Sequence, residues 1–164
     1  MKRLLVFFLI AATLLMTFGA LAETGAPLVL SLSFEGSAED ASPAGNHGRL
    51  SKAATFIEGV SGQALLLDGT TYIDLGTSGS LQPAQLTFAA WVRADARLYG
   101  EHMLTWFKPS GRYQGEGWYL SCLDDSTPLK LSVGPSGGQP MEIFVSGSRE
   151  AFFPAGEWVH IAVT

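Results

Sequence analysis

The chain has 164 residues, 47% of them hydrophobic and 15% charged, which is enough apolar area for a single core and too much for a disordered segment. The formal charge is −5, and no Lys/Arg cluster accompanies an aromatic stripe, which speaks against nucleic acid and against an anionic membrane surface. The lone cysteine, Cys122, rules out an internal disulfide, so stability has to come from the core, with or without a metal ion.

In chain order, Met1-Lys2-Arg3 is a basic start, residues 4–16 are almost unbrokenly apolar, and Ala20-Leu21-Ala22 is a small-x-small cleavage site followed by Glu23. Residues 1–22 therefore read as an export signal, since the apolar stretch is shorter than the roughly 20 residues that span a bilayer. The expected product, residues 23–164, retains eight basic and fifteen acidic side chains, a formal charge of −7. It is expected outside the cytoplasm, secreted, extracellular or periplasmic, with no stable membrane span after cleavage.

Residues 28–34 alternate, with Leu28, Leu30, Leu32 and Phe34 on one side and serines among the others, which predicts a first strand. The segment 35–48 is rich in Gly, Ser, Asp, Asn and Pro and predicts a loop. Further short apolar runs follow at 54–57, 64–67, 72–75, 86–92, 103–107, 118–123, 129–133, 141–145 and 158–163, separated by turn signals such as Asp68-Gly69, Asp124-Asp125 and Gly137-Gly138. About ten short strands and no amphipathic helix of three turns predict an all-β, antiparallel sandwich. The last strand runs to the end of the sequence without a turn or polar tail, so the sandwich is expected to be incomplete, lacking its last strands.

The order of these segments resembles the laminin-G-like and concanavalin-A-like superfamily of jelly rolls. The landmarks are Leu32-Ser33-Phe34-Glu35 leading into Asp40 to Gly48, then Gly62-Gln63-Ala64-Leu65-Leu66-Leu67-Asp68-Gly69 and Tyr72-Ile73-Asp74-Leu75. Leu86-Thr87-Phe88-Ala89-Ala90-Trp91-Val92-Arg93 and Trp158-Val159-His160-Ile161-Ala162-Val163-Thr164 complete them. The resemblance implies one domain over residues 23–164. It also implies further strands beyond Thr164.

Glycosidases of related fold carry a Glu-x-Asp-x-x-Glu motif, because retaining hydrolysis needs two carboxyl groups about 5 Å apart. That motif does not occur in this sequence, and the expectation is a protein that is not an enzyme. Glu35, Asp40 and Asn46 lie in the oxygen-rich loop, where they could ligate calcium, a cofactor that the resemblance brings forward, or serve as turn-bracing side chains. Tyr99, Trp106 and Tyr113 fall in a stretch interleaved with polar residues and are the candidate ligand contacts, since aromatic rings stack on the C–H faces of sugars. Trp91, Trp118 and Trp158 read instead as core, as does Cys122. His47, His102 and His160 share no metal-ligand spacing.

The expected function is a secreted, non-catalytic binding module for carbohydrate or an extracellular protein surface. An ancillary domain of a glycoside hydrolase or other extracellular enzyme is a rival reading, and a structural or adhesion spacer is another.

Overall fold

The computed structural model describes residues 26–95, 102–107, 117–122, 124–134 and 140–164. Among them are ten short strands: β1 (Arg49–Leu50), β2 (Phe56–Glu58), β3 (Gln63–Leu65), β4 (Ile73–Asp74), β5 (Phe88–Arg93), β6 (His102–Phe107), β7 (Gly117–Cys122), β8 (Leu129–Gly134), β9 (Met141–Val145) and β10 (Trp158–Val163). One helical turn, α1 (Arg149–Phe152), precedes β10, and a 3-10 turn spans Gly79–Leu81. Every strand pairing is antiparallel.

The largest sheet has the order β6-β7-β8-β9, and β5 pairs with β10 along its whole length, from Trp158 opposite Arg93 to Val163 opposite Phe88. Side chains alternate across a strand, so each of these strands presents one apolar row. Leu120 and Cys122 of β7 and Leu129 and Leu131 of β8 meet Ile161 of β10 and Phe153 in the core. Phe88, Ala90 and Val92 of β5, Leu104 of β6 and Val145 of β9 pack against the same cluster. The result is an antiparallel sandwich with one sheet laid against the β5–β10 ribbon, each large apolar side chain so buried stabilising by about 1.5–3 kcal/mol. The register shifts between Met103 and Thr105, a bulge at Leu104 that leaves this side chain against the core.

α1 is capped by Ser148, whose hydroxyl accepts from the Ala151 N–H at 3.4 Å. Arg149 is buried, and its Nε donates to the carbonyl of Asp124 at 3.0 Å, fastening the helical turn to the β7–β8 connection. That anchorage sets Phe153 into the core just before β10 begins. Beside the end of β10 the core opens into an aliphatic recess of about 210 Å³ between Leu129, Leu131, Ile143, Val145, Val163 and Thr164.

Two expectations are corrected. Residues 28–34 do not form a strand: the segment makes a single bridge, Leu32 with Asp40, and Leu28 is 59% exposed. The cause is the Asp40 side chain, which takes the Ser31 N–H at 2.7 Å, together with Phe34, whose φ of 58° breaks the extended run. Trp91 is not core but 53% exposed, because strand alternation turns it away from Phe88, Ala90 and Val92. Trp158, half-buried under the Arg93 guanidinium, stands on the same outward row and is not core either, whereas Trp118 is half-buried and donates from Nε1 to the carbonyl of Leu81 at 3.4 Å. Cys122 is fully buried, as its place in an apolar run predicts.

Candidate functional site

The face of the four-stranded sheet that turns away from the core is built by alternation in β7, β8 and β9. With Leu120 and Leu131 inward, the alternate residues Tyr119, Ser121, Lys130 and Ser132 lie on the other face of the sheet; Ser121 and Ser132 are buried there, at 0% and 2% exposure, and the registers Ser132 opposite Glu142 and Lys130 opposite Phe144 carry that face to its exposed edge on β9. Lys130 organises it. Its ammonium lies 2.8 Å from Glu142 Oε1 and over two rings, 5.2 Å from the centroid of Tyr119 and 5.7 Å from that of Phe144. The Tyr119 hydroxyl donates to the same Glu142 oxygen at 3.5 Å.

Burial by itself would lower the Lys130 pKa, but its bonds to Glu142 and Tyr119 win and raise it, so the ammonium keeps its charge. Only 13% of the Lys130 side chain is exposed, whereas the ring of Phe144 is 49% exposed. The lysine thus acts as a fixed post between neighbours that reach the surface. An aromatic ring beside a carboxylate and a phenol offers a stacking platform with acceptor oxygens at its edge, which the hydroxyls of a polyhydroxylated ligand can meet.

Of the ligand contacts expected from the sequence, Trp106 lies in β6 directly opposite Tyr119 in register, and so belongs to the same row of the sheet as Ser132 and Glu142. Tyr99 and Tyr113 lie outside the described residues. Tyr119, Lys130, Glu142 and Phe144 were not singled out by sequence reasoning. The signal that could have found them is the alternation within residues 118–123, 129–133 and 141–145, which places each of them out of step with the apolar residues. What brings them together is the register between strands, which alternation does not supply.

The calcium expectation fares differently. Asp40 and Asn46 come together, but Asp40 Oδ1 already accepts the N–H groups of Ser31 at 2.7 Å and Ser42 at 2.8 Å, and Oδ2 accepts the Ser42 hydroxyl and the Asn46 N–H, both at 2.7 Å. The Asn46 amide donates to the carbonyl of Val29 at 2.7 Å and to Ser80 Oγ at 2.8 Å. Glu35 is engaged elsewhere, accepting the Gln63 N–H at 3.0 Å on the β2–β3 turn. There Gly62 has φ +65°, a left-handed backbone conformation that favours glycine. Among the described residues no group of three or more His, Cys, Asp or Glu side chains converges. Glu35, Asp40 and Asn46 as placed do not fit a calcium ion. The pair Asp40 and Asn46 braces a loop, the other role open to them in the sequence.

The fold and this face can be set beside known proteins. A family model described as the concanavalin A-like lectin/glucanases superfamily matches residues 67–164, more than half of the chain. The chain belongs to this superfamily. The matched stretch runs from just before β4 to the end of β10, and so takes in the whole sandwich core and the outward face around Lys130, while the Asp40 loop and β1 to β3 precede it. No curated protein and no solved structure matches the chain. The superfamily description joins lectins, which bind, with glucanases, which cleave; it supports a carbohydrate- or protein-binding module and leaves the particular role to the site.

Proposed function

We propose that the chain is an exported, non-catalytic module that binds carbohydrate at the exposed β9 edge of the four-stranded sheet, beside Lys130. The observation that carries this reading is the Lys130 post, which fixes Glu142 and the Tyr119 phenol beside the half-exposed ring of Phe144. Side chains already held in place lose little freedom when a ligand arrives, which is where much of the cost of binding lies. Both contacts to Glu142 fall on Oε1, so its second oxygen can meet a sugar hydroxyl.

Binding rather than cleavage is favoured by the acid count on this face. Glu142 is the only acidic residue in β6 to β9, and glycoside hydrolysis by the usual routes needs a pair of carboxyl groups flanking the bond. The export signal over residues 1–22 supports a ligand met outside the cytoplasm.

The test is retention of the full chain on an immobilised glycan array, repeated with Phe144→Ala and Glu142→Gln. Saturable retention that weakens on the order of tenfold in both variants is expected. Retention on no glycan, or retention equal in parent and variants, overturns the reading.

A further inference from the structure

The opposite surface of the sandwich carries a second arrangement that the face around Lys130 does not use. Outward residues of β5 read Ala89, Trp91, Arg93 and those of β10 read Trp158, His160, Ala162, and the register places them directly across from one another: Ala162 opposite Ala89, His160 opposite Trp91, Trp158 opposite Arg93. Just beyond the ladder, the hydroxyls of Thr87 and Thr164 are in hydrogen-bond contact. We propose that this row is a second ligand site, which takes a neutral saccharide chain lying along the ribbon against Trp91.

Three observations carry the assignment. The Trp91 indole is 53% exposed although it sits mid-strand, and His160 props it with ring centroids 5.0 Å apart and planes tilted by 58°. The neighbouring positions on both strands are alanines, both exposed, so among the described residues of the two strands no large side chain rises beside the indole on that side. The floor then runs to the Thr87 and Thr164 hydroxyls, four residues from Trp91 on β5 or roughly 13 Å at the rise of a strand. An apolar ring over a shallow floor with hydroxyls at its far end suits a ligand whose rings have C–H faces and hydroxyl edges.

Charge selects the ligand further. Arg93 is the only formal cation of the row, and it is already engaged: its Nε donates to Asp95 at 2.8 Å and its guanidinium covers the Trp158 ring at 5.1 Å. A uronate or sulfated chain would have to displace Asp95 to gain a counter-charge, and the chain's net charge of −5 repels it. An uncharged saccharide meets neither obstacle.

The experiment is affinity electrophoresis of the full chain in gels containing hydroxyethylcellulose, galactomannan or, as the charged control, polygalacturonate, with acrylamide quenching of tryptophan fluorescence alongside. The parent should be retarded by a neutral polymer, which should also shield it from acrylamide. Trp91→Ala and Ala162→Glu should each weaken retardation on the order of tenfold; the second keeps the indole and obstructs the floor, so it separates loss of the site from loss of one ring. Glu142→Gln combined with Phe144→Ala should leave the shielding of Trp91 intact, which keeps this site distinct from the one around Lys130. Retardation by polygalacturonate alone, by no neutral polymer, or equally in parent and both variants overturns the proposal. So does a sedimentation experiment in which Trp91→Ala merely dissolves a self-associated form.

Discussion

Asn46 and Asp40 lock one another across the loop that precedes β1: the Asn46 N–H donates to Asp40 Oδ2 at 2.7 Å, while the Asn46 amide reaches out to Val29 and Ser80. Asp40 is 6% exposed, and four donors depend on its carboxylate. Asp40→Ala strands three backbone N–H groups in a buried setting and is expected to cost about 3 kcal/mol in urea unfolding. Asp40→Asn, which keeps one acceptor oxygen, should cost less.

The same carboxylate gives the loop a defined response to acid. Burial alone would raise its pKa, but the bonds from Ser42, Ser31 and Asn46 outweigh burial and lower it from 3.8 to about 2. A folded value below the unfolded one contributes stability that is present above pH 3.8 and is lost as the pH falls through 2. Melting temperatures of the parent and Asp40→Asn should therefore differ most at neutral pH and converge as the pH drops from about 4 to 2. A constant gap over that window would contradict the role given to Asp40.

Calcium should leave the melting temperature of the full chain unchanged relative to chelator. Asp40 has no oxygen without protein donors, and Glu35 serves the β2–β3 turn instead. A calcium-dependent rise that Asp40→Asn abolishes would show that the ion can displace those donors.

Lys130 is a positioning residue in the proposed binding face. Lys130→Met keeps an apolar stem between the two rings but releases Glu142, and a stability loss of about 1 kcal/mol is expected. Glycan affinity should fall further than stability, with Lys130→Arg restoring part of it. Calorimetric titration beside thermal melting separates the two effects, because a purely structural lysine would move only the second.

Cys122 is fully buried, and burial pushes its thiol up to about 11, against the opposing pull of the Arg149 charge. A thiol reagent at pH 8 should leave the folded chain untouched and label it fully in denaturant. Next to it, Leu120→Ala opens a cavity between the sheet and the β5–β10 ribbon and should cost about 3 kcal/mol by the same unfolding measurement.

Much of the architecture was legible in the sequence. The short apolar runs at 141–145 and 158–163 coincide with β9 and β10, and those at 103–107, 118–123 and 129–133 fall within a residue of β6, β7 and β8, because a short apolar run bounded by turn residues is a local property of a buried strand. The spacing around 88–92 also contained the outward position of Trp91, but size and hydrophobicity suggested core where the alternation of β5 decided otherwise. Residues 28–34 alternate as well as any strand, yet a side chain distant in sequence, Asp40, takes one of their N–H groups and leaves a single bridge.

Apolar spacing thus marks most of the extended segments and, within each, the residues that share a face. Which faces meet, and which residues stand opposite one another, follows from packing between strands. Tyr119, Lys130 and Glu142 come from three strands, as Trp91 and His160 come from two that lie far apart in the chain, and no spacing within a strand encodes the register that joins them. That register is set by the burial of Leu120, Leu131 and Ile161 on the other side of the same strands, since a slip of one residue would turn those side chains into water.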